Sequence, residues 1–256
     1  DKFDQFAANP DLVLEYRAGA YNVGIIPNKK EPSIMTNVAL RRAIQAAIDA
    51  DVTARAYYPE RFTEKNPAVL GVPGLVWYSD AAAPYYDQAN PEKARQLLAE
   101  AGYAGQPVKW LLPSETPHFY NLSLAAIQQL EAVGFKIEQI VVDFASAVRA
   151  SFQPDAWDIF LFVSNPYVHP SVHNLLVTAH PYSWDDPRKN EILELIWRTP
   201  DADSLAQYYR EVELVIADQA AFIPIITENI LKGHHRKLKG YRDDQYAVFW
   251  NCWFEE

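Results

Sequence analysis

Most of this chain shows apolar residues at helical or alternating spacing, but one stretch has no polar face at all. Trp157-Asp158-Ile159-Phe160-Leu161-Phe162-Val163 is almost wholly apolar, β-branched or aromatic. That is the pattern of a strand buried on both faces, as in a parallel sheet covered by helices. It breaks abruptly into Ser164-Asn165-Pro166-Tyr167-Val168-His169-Pro170. In an open α/β sheet, ligands bind beyond the carboxyl ends of the strands. The core and the candidate site therefore meet near Val163. A central strand followed by an ordinary loop has the same pattern, and periodicity alone does not separate the two.

Upstream, Phe3 to Ala8 reads as a short helix, and Leu12 to Tyr16 and Tyr21 to Ile26 as two strands. Met35-Thr36-Asn37 caps a helix in which Leu40, Ile44, Ala47 and Ile48 recur at helical spacing, with Arg41, Arg42, Gln45 and Asp49 off that stripe. Asn66 to Pro84 is proline- and glycine-punctuated loop. Asn90-Pro91-Glu92 starts a helix that Gly102 ends. Val108 to Leu112 is a strand, Pro113 to Tyr120 a loop, Leu122 to Val133 a helix, and Phe135 to Val142 a strand. Such a crossover makes its two strands parallel. Phe144 to Phe152 is a helix leading into the apolar stretch. Three strands joined by helices thus run parallel, and the loops after Leu112 and Val163 emerge on one edge. Downstream, Pro170 to Thr178 reads as a short helix, and Pro187 to Thr199 and Ser204 to Phe222 as longer ones. Ile223 to Thr227 reads as a strand that Ile230 to Lys232 continues, and Tyr246 to Phe254 as a last strand. The predicted class is α/β, a mostly parallel sheet flanked by helices.

Composition narrows the functions. A chain of 256 residues that is 49% hydrophobic can bury a real core as one large domain or two small ones. Its net charge is −10 and it has no strong cluster of Lys and Arg, which argues against nucleic acid and anionic membranes. No run of 18 or more apolar residues suggests membrane insertion. The single cysteine, Cys252, excludes an internal disulfide and a cysteine metal cage. The chain starts at Asp1, as a processed protein or an excised fragment would. It contains no nucleophile elbow, phosphate loop, dinucleotide fingerprint or zinc spacing. His169 and His173 stand four apart, but Pro170 between them favours helix-start histidines over a metal pair. No catalytic constellation, metal or cofactor is expected.

Several segments together resemble the extracytoplasmic solute-binding proteins of peptide, nickel and oligosaccharide ABC transporters, family 5. They are Leu12 to Asn28, the helix from Asn37 to Asp49, Tyr86-Asp87 with Asn90 to Gly102, Trp157-Asp158, and Tyr209 to Asp218 followed by Phe222 to Ile225. Each is moderate alone; their order and spacing are specific. The resemblance implies one lobe of a two-lobed periplasmic-binding-protein type II fold, the carboxyl-terminal half only. Residues 1–20 would be first-lobe segment and hinge entry, 21–225 the second lobe, and 226–256 the return to a missing first lobe. Tyr21 to Ile26 and Ile223 to Thr227 would run side by side where the chain crosses between lobes.

The resemblance further implies that the chain is not an enzyme, and that it captures a solute by closure for an ABC permease. The setting would be periplasmic or extracellular and lipid-anchored. Two loops carry over as ligand-facing: one with Ser114, Glu115, His118 and Tyr120, the other with Asn165, Tyr167 and His169. Peptide-binding members hold the ligand's α-ammonium with an Asp in the second loop. The nearest positions here are Asn165 and Pro166, and Glu115 is the one acid in either loop. A buried ammonium needs a counter-charge. The loops therefore suggest a neutral or anionic solute, such as an oligosaccharide, an amino-acid conjugate or a blocked peptide, stacked on Tyr167 with Trp110 or Tyr120. Two other readings are an effector-binding domain of a transcription regulator and a metal-dependent enzyme resting on His169 and His173.

Overall fold

The apolar stretch becomes β5 (Ile159–Ser164), and its residues are buried alternately on two faces. The computed structural model describes residues 2–57, 62–75, 77–165, 171, 173–243 and 247–256. They form two compact units, Gly19–Glu228 and Asp1–Ala18 with Asn229–Glu256.

The larger unit is built on a sheet. Its strands are β1 (Leu12–Pro27), β2 (Thr63–Glu64), β3 (Pro107–Pro113), β4 (Lys136–Val142), β5 and β6 (Ile223–His235), in the order β2-β6-β1-β5-β3-β4. β3 pairs parallel with both β4 and β5, as the crossover pattern requires. β1 pairs antiparallel with β5 and β2 antiparallel with β6, and β6 neighbours β1. On one face lie α2 (Val38–Ala47), α4 (Pro91–Glu100) and α5 (Pro117–Val133), packed on Val23, Ile25, Trp110, Leu112, Ile159 and Leu161. On the other lie α6 (Phe144–Ser151), α7 (Pro187–Arg198) and α8 (Ala202–Asp218), packed on Ile26, Leu111 and Phe160. Each such buried side chain contributes about 1.5–3 kcal/mol over exposure. The α/β class with helices on both faces is as expected. β1 and β6 are neighbours, as the resemblance implied for 21–26 and 223–227.

Local details differ from the sequence reading, each for a physical reason. The two strands expected between Leu12 and Ile26 are one, joined through Gly19, whose φ of +65° suits glycine. The stretch expected as loop up to Tyr120 turns helical at Pro117, because proline is pre-set for the first helical position. Residues 173–178 form turns rather than helix, and 166–170 and 172 lie outside the described residues. The terminal strand is broken into β9 (Ala247–Val248) and β10 (Trp253–Phe254). Arg41 and Gln45, off the apolar stripe of α2, are nonetheless buried. Arg41 donates to the Gln219 carbonyl at 2.8 Å, Arg42 to that of Asp218 at 2.7 Å and Gln45 to that of Ala217 at 3.0 Å. These carbonyls lie at the carboxyl end of α8, so the cations there also meet the negative end of its dipole.

The smaller unit contains the first part of β1, the last part of β6 and several two-residue strands. β7 (Leu238–Lys239) pairs with β10, and Lys239 meets Glu255 at 2.9 Å. Phe249, Trp250, Trp253 and Phe254 are all exposed.

Candidate functional site

Strand directions decide which loops share an edge. β1 runs against β5, with Asn22 opposite Ser164 and Pro27 opposite Ile159. Gly24 lies against Ile223, while Asn22 Oδ1 accepts from Thr227 Oγ1 at 2.6 Å. β1 therefore runs against β6 as well. It follows that β3, β4, β5 and β6 all point the same way. Ser114 and Asn165 stand at the carboxyl ends of β3 and β5, on one edge of the sheet. Glu228, midway along β6, is level with them, because Asn22 pairs with Ser164 on one side and meets Thr227 on the other.

The first predicted loop is partly committed to structure. The Ser114 amide donates to the Val142 carbonyl at 2.9 Å. Glu115 Oε2 accepts the Phe144 amide at 3.2 Å, at the start of α6, where Asp143 is the cap. An anion at that position meets unpaired N–H groups and the positive helix end. Glu115 thus stitches the β3 and β4 exits together. His118 and Tyr120 lie in the first turn of α5. The His118 ring is 4.7 Å from Phe119 and 5.2 Å from Tyr57, edge-on to the latter. Burial holds its pKa below the usual histidine range, which favours the neutral ring.

In the second loop, Asn165 is partly buried at the end of β5, and Tyr167 and His169 lie outside the described residues. Trp110 is fully buried within the sheet core. It is not a stacking surface, because its strand faces helices on both sides. Asp158 is also structural: Oδ2 accepts the Lys109 amide at 2.9 Å and Oδ1 accepts from Ser33.

Behind this edge lies a buried polar network that periodicity did not reveal. Ser164 Oγ stands 2.6 Å from His173 Nε2 and donates to the Val69 carbonyl at 2.9 Å. Leu175 donates its amide to His173 Nδ1 at 3.1 Å. The same Val69 carbonyl accepts from Asn22 Nδ2. The Val69 and Leu70 amides both donate to the fully buried Glu213 carboxylate, at 3.1 and 2.7 Å. Burial pushes Glu213 up to about 7 and His173 down to about 3. The segment from Asn66 to Gly71 is thereby tied to β1, β5 and α8 at once. His173 serves that tie, not a metal pair. Among the described residues no group of three or more His, Cys, Asp and Glu is placed to hold a metal ion.

Glu228 was also missed, because it follows directly on the apolar run that marked its strand. Its Oε2 accepts from Tyr57 Oη at 3.2 Å, and burial raises its pKa. Elsewhere an open groove of about 840 Å³ runs between Tyr78–Asp80 and the outer side of α8, lined by Gln207, Arg210 and Leu214. None of the predicted site residues line it.

Known proteins give this geometry a context. The family described as bacterial extracellular solute-binding proteins, family 5 Middle, matches residues 1–207. A probable peptide ABC transporter periplasmic-binding protein of Sinorhizobium fredii is 23% identical over 84% of this chain and 43% of its own. Heme-binding protein A of Haemophilus influenzae is 25% identical over 86% of this chain and 42% of its own. The solved periplasmic binding protein DppA from Helicobacter pylori, in complex with the peptide STSA, superposes with a TM-score of 0.81 at 20% identity. That match covers 100% of this chain and 51% of the other. The chain therefore spans about half the length of the proteins it matches.

Proposed function

Because the chain belongs to family 5 of the bacterial extracellular solute-binding proteins, we propose that it captures a small solute for an ABC importer. It would supply the carboxyl-terminal half of a cleft that closes on the ligand. The observation that carries this reading is the shared edge. Four strands point the same way, and the residues expected to face ligand, His118, Tyr120 and Asn165, all stand beyond their carboxyl ends. A mostly apolar rim with a few orienting polar groups is the usual make-up of a small-molecule site.

Residues 1–20 and 226–256 would belong to the other lobe, and 21–225 to this one. The division of the chain into compact units near residues 18 and 228 supports this. So do the exposed Phe249, Trp250, Trp253 and Phe254, apolar side chains that burial against another lobe would cover. The protein would work outside the cytoplasmic membrane, free or lipid-anchored, and hand its solute to a permease.

The test is a binding screen with peptides, amino-acid conjugates and oligosaccharides, read by calorimetry on the protein carrying this chain. Capture predicts a saturable solute whose affinity Asn165→Ala and Tyr120→Ala each weaken by about 10-fold or more. A screen in which no solute of any class binds would refute the proposal. So would a bound solute indifferent to both substitutions.

A further inference from the structure

Level with the edge proposed to receive the ligand stands a carboxylate that no cation among the described residues answers. β6 leaves the core at Thr227, whose hydroxyl is held by Asn22, and the next side chain is Glu228. One of its oxygens takes the Tyr57 hydroxyl. No other hydrogen bond and no ion pair reaches this carboxylate from the described residues. Lys65, the residue that follows the pairing strand β2, is already engaged by Asp51 at 2.8 Å and Asp87 at 3.0 Å. His118, the titratable ring packed on Tyr57, is kept neutral by burial. Glu115, the acid of the first loop, is solvent-exposed and set at the start of α6, where water and the Phe144 amide already solvate its charge.

A partly buried carboxylate without a cation is held at a cost that a ligand cation would remove. The direction of its pKa, raised chiefly by burial, agrees. The surroundings suit a cation too. The Tyr57 ring is buried against His118 and Phe119, which fixes its hydroxyl on the carboxylate and leaves the other carboxylate oxygen for a ligand's ammonium or guanidinium group.

Resting on the solute-capture reading, we propose that Glu228 is the counter-charge for a cationic nitrogen of the ligand, an ammonium or a guanidinium, with Tyr57 orienting the carboxylate. The neutral or anionic solute expected from the two loops alone then gives way to a solute carrying a positive group. Its ammonium would be recognised from the middle of β6, level with the end of β5, not from the loop after β5.

Calorimetry on the protein carrying this chain tests this with defined probes. These are the dipeptide Ala-Phe, its N-acetyl form, agmatine, maltotriose and succinate, each against wild type, Glu228→Gln and Tyr57→Phe. The glutamine keeps an oxygen for the Tyr57 hydroxyl, so the fold is retained while the charge is lost. Ala-Phe or agmatine should bind, and Glu228→Gln should weaken that binding by about 10-fold or more. Acetylation of Ala-Phe should weaken it similarly, and Tyr57→Phe by less. A saturable shift of the Glu228 carboxyl carbon on adding the amine, read by NMR on wild type, is expected independently of any variant. Amine binding that ignores Glu228→Gln overturns the proposal. Binding of maltotriose or succinate alone also overturns it and leaves solute capture standing. If no probe and no other solute binds, both fall.

Discussion

Acid is expected to loosen this fold through His173. Its Nδ1 accepts the Leu175 amide at 3.1 Å, so the ring proton sits on Nε2 and donates to Ser164 Oγ at 2.6 Å. The serine proton then goes to the Val69 carbonyl. A second ring proton would have to stand on Nδ1, facing another N–H donor. Burial, and then the charge of His180, drive the folded-state pKa down to about 3. An unfolded histidine takes its proton near 6.5. The neutral ring therefore contributes stability fully above pH 6.5, and that contribution is lost as pH falls towards 3. At about 1.4 kcal/mol per pH unit, moving from 6.5 to 4 removes about 3 kcal/mol, a large share of a typical stability of about 5–15 kcal/mol. Glu213 acts in the opposite sense. Burial pushes its folded-state pKa up to about 7. Its contribution is full below its unfolded value near 4.5 and is lost as pH rises through 7. Urea denaturation from pH 4 to 8 on wild type, His173→Gln and Glu213→Gln separates the two. Between pH 4.5 and 6.5 the two oppose each other, so His173→Gln should leave stability falling as pH rises there, and Glu213→Gln should leave it rising. Parallel wild-type and His173→Gln curves below pH 6 would refute the proton assignment.

Two further substitutions follow from the packing. Gly24→Ala places a Cβ against the Ile223 carbonyl and 2.6 Å from the Phe222 ring. It should cost about 1–3 kcal/mol or more, read as a lowered urea midpoint, and an unchanged midpoint would show that β1 and β6 are less closely apposed. Arg41→Lys keeps the charge but cannot reach the Gln219, Met35 and Thr36 carbonyls together. A loss of about 2 kcal/mol or more is expected; full retention of stability would mean that charge at the end of α8 suffices.

Much of the fold was legible because local signals and tertiary demand agree. Asn37, Asn90 and Asp143 each cap the helix that follows them, through hydrogen bonds of 2.9 Å. The crossovers through α5 and α6 fix parallel strands whatever the side chains do. Errors fell where one residue's chemistry overrode the pattern. Gly19 joins two apparent strands, and Pro117 starts a helix early. Arg41 and Gln45 looked like solvent-facing positions of an amphipathic helix. They are buried because the end of α8 offers carbonyls that take their hydrogen bonds, and that demand comes from a segment almost 180 residues away.

The site was legible only as a place. Parallel strands tell which loops share an edge, so Ser114 and Asn165 could be paired without knowing any contact. What each side chain does there depends on partners distant in sequence, and periodicity carries no trace of them. Glu115 and Glu228 make the point. In the sequence Glu115 is the acid within a candidate loop, and Glu228 is a polar residue ending a strand. In the fold Glu115 spends its charge on a helix start, while Glu228, brought to the same edge by the direction of β6, has only the Tyr57 hydroxyl among the described residues. Ligand charge inferred from loops alone therefore counts the wrong carboxylate. The acid that matters to a ligand is the one the protein has not already answered. That can be known only once the direction of every strand is known.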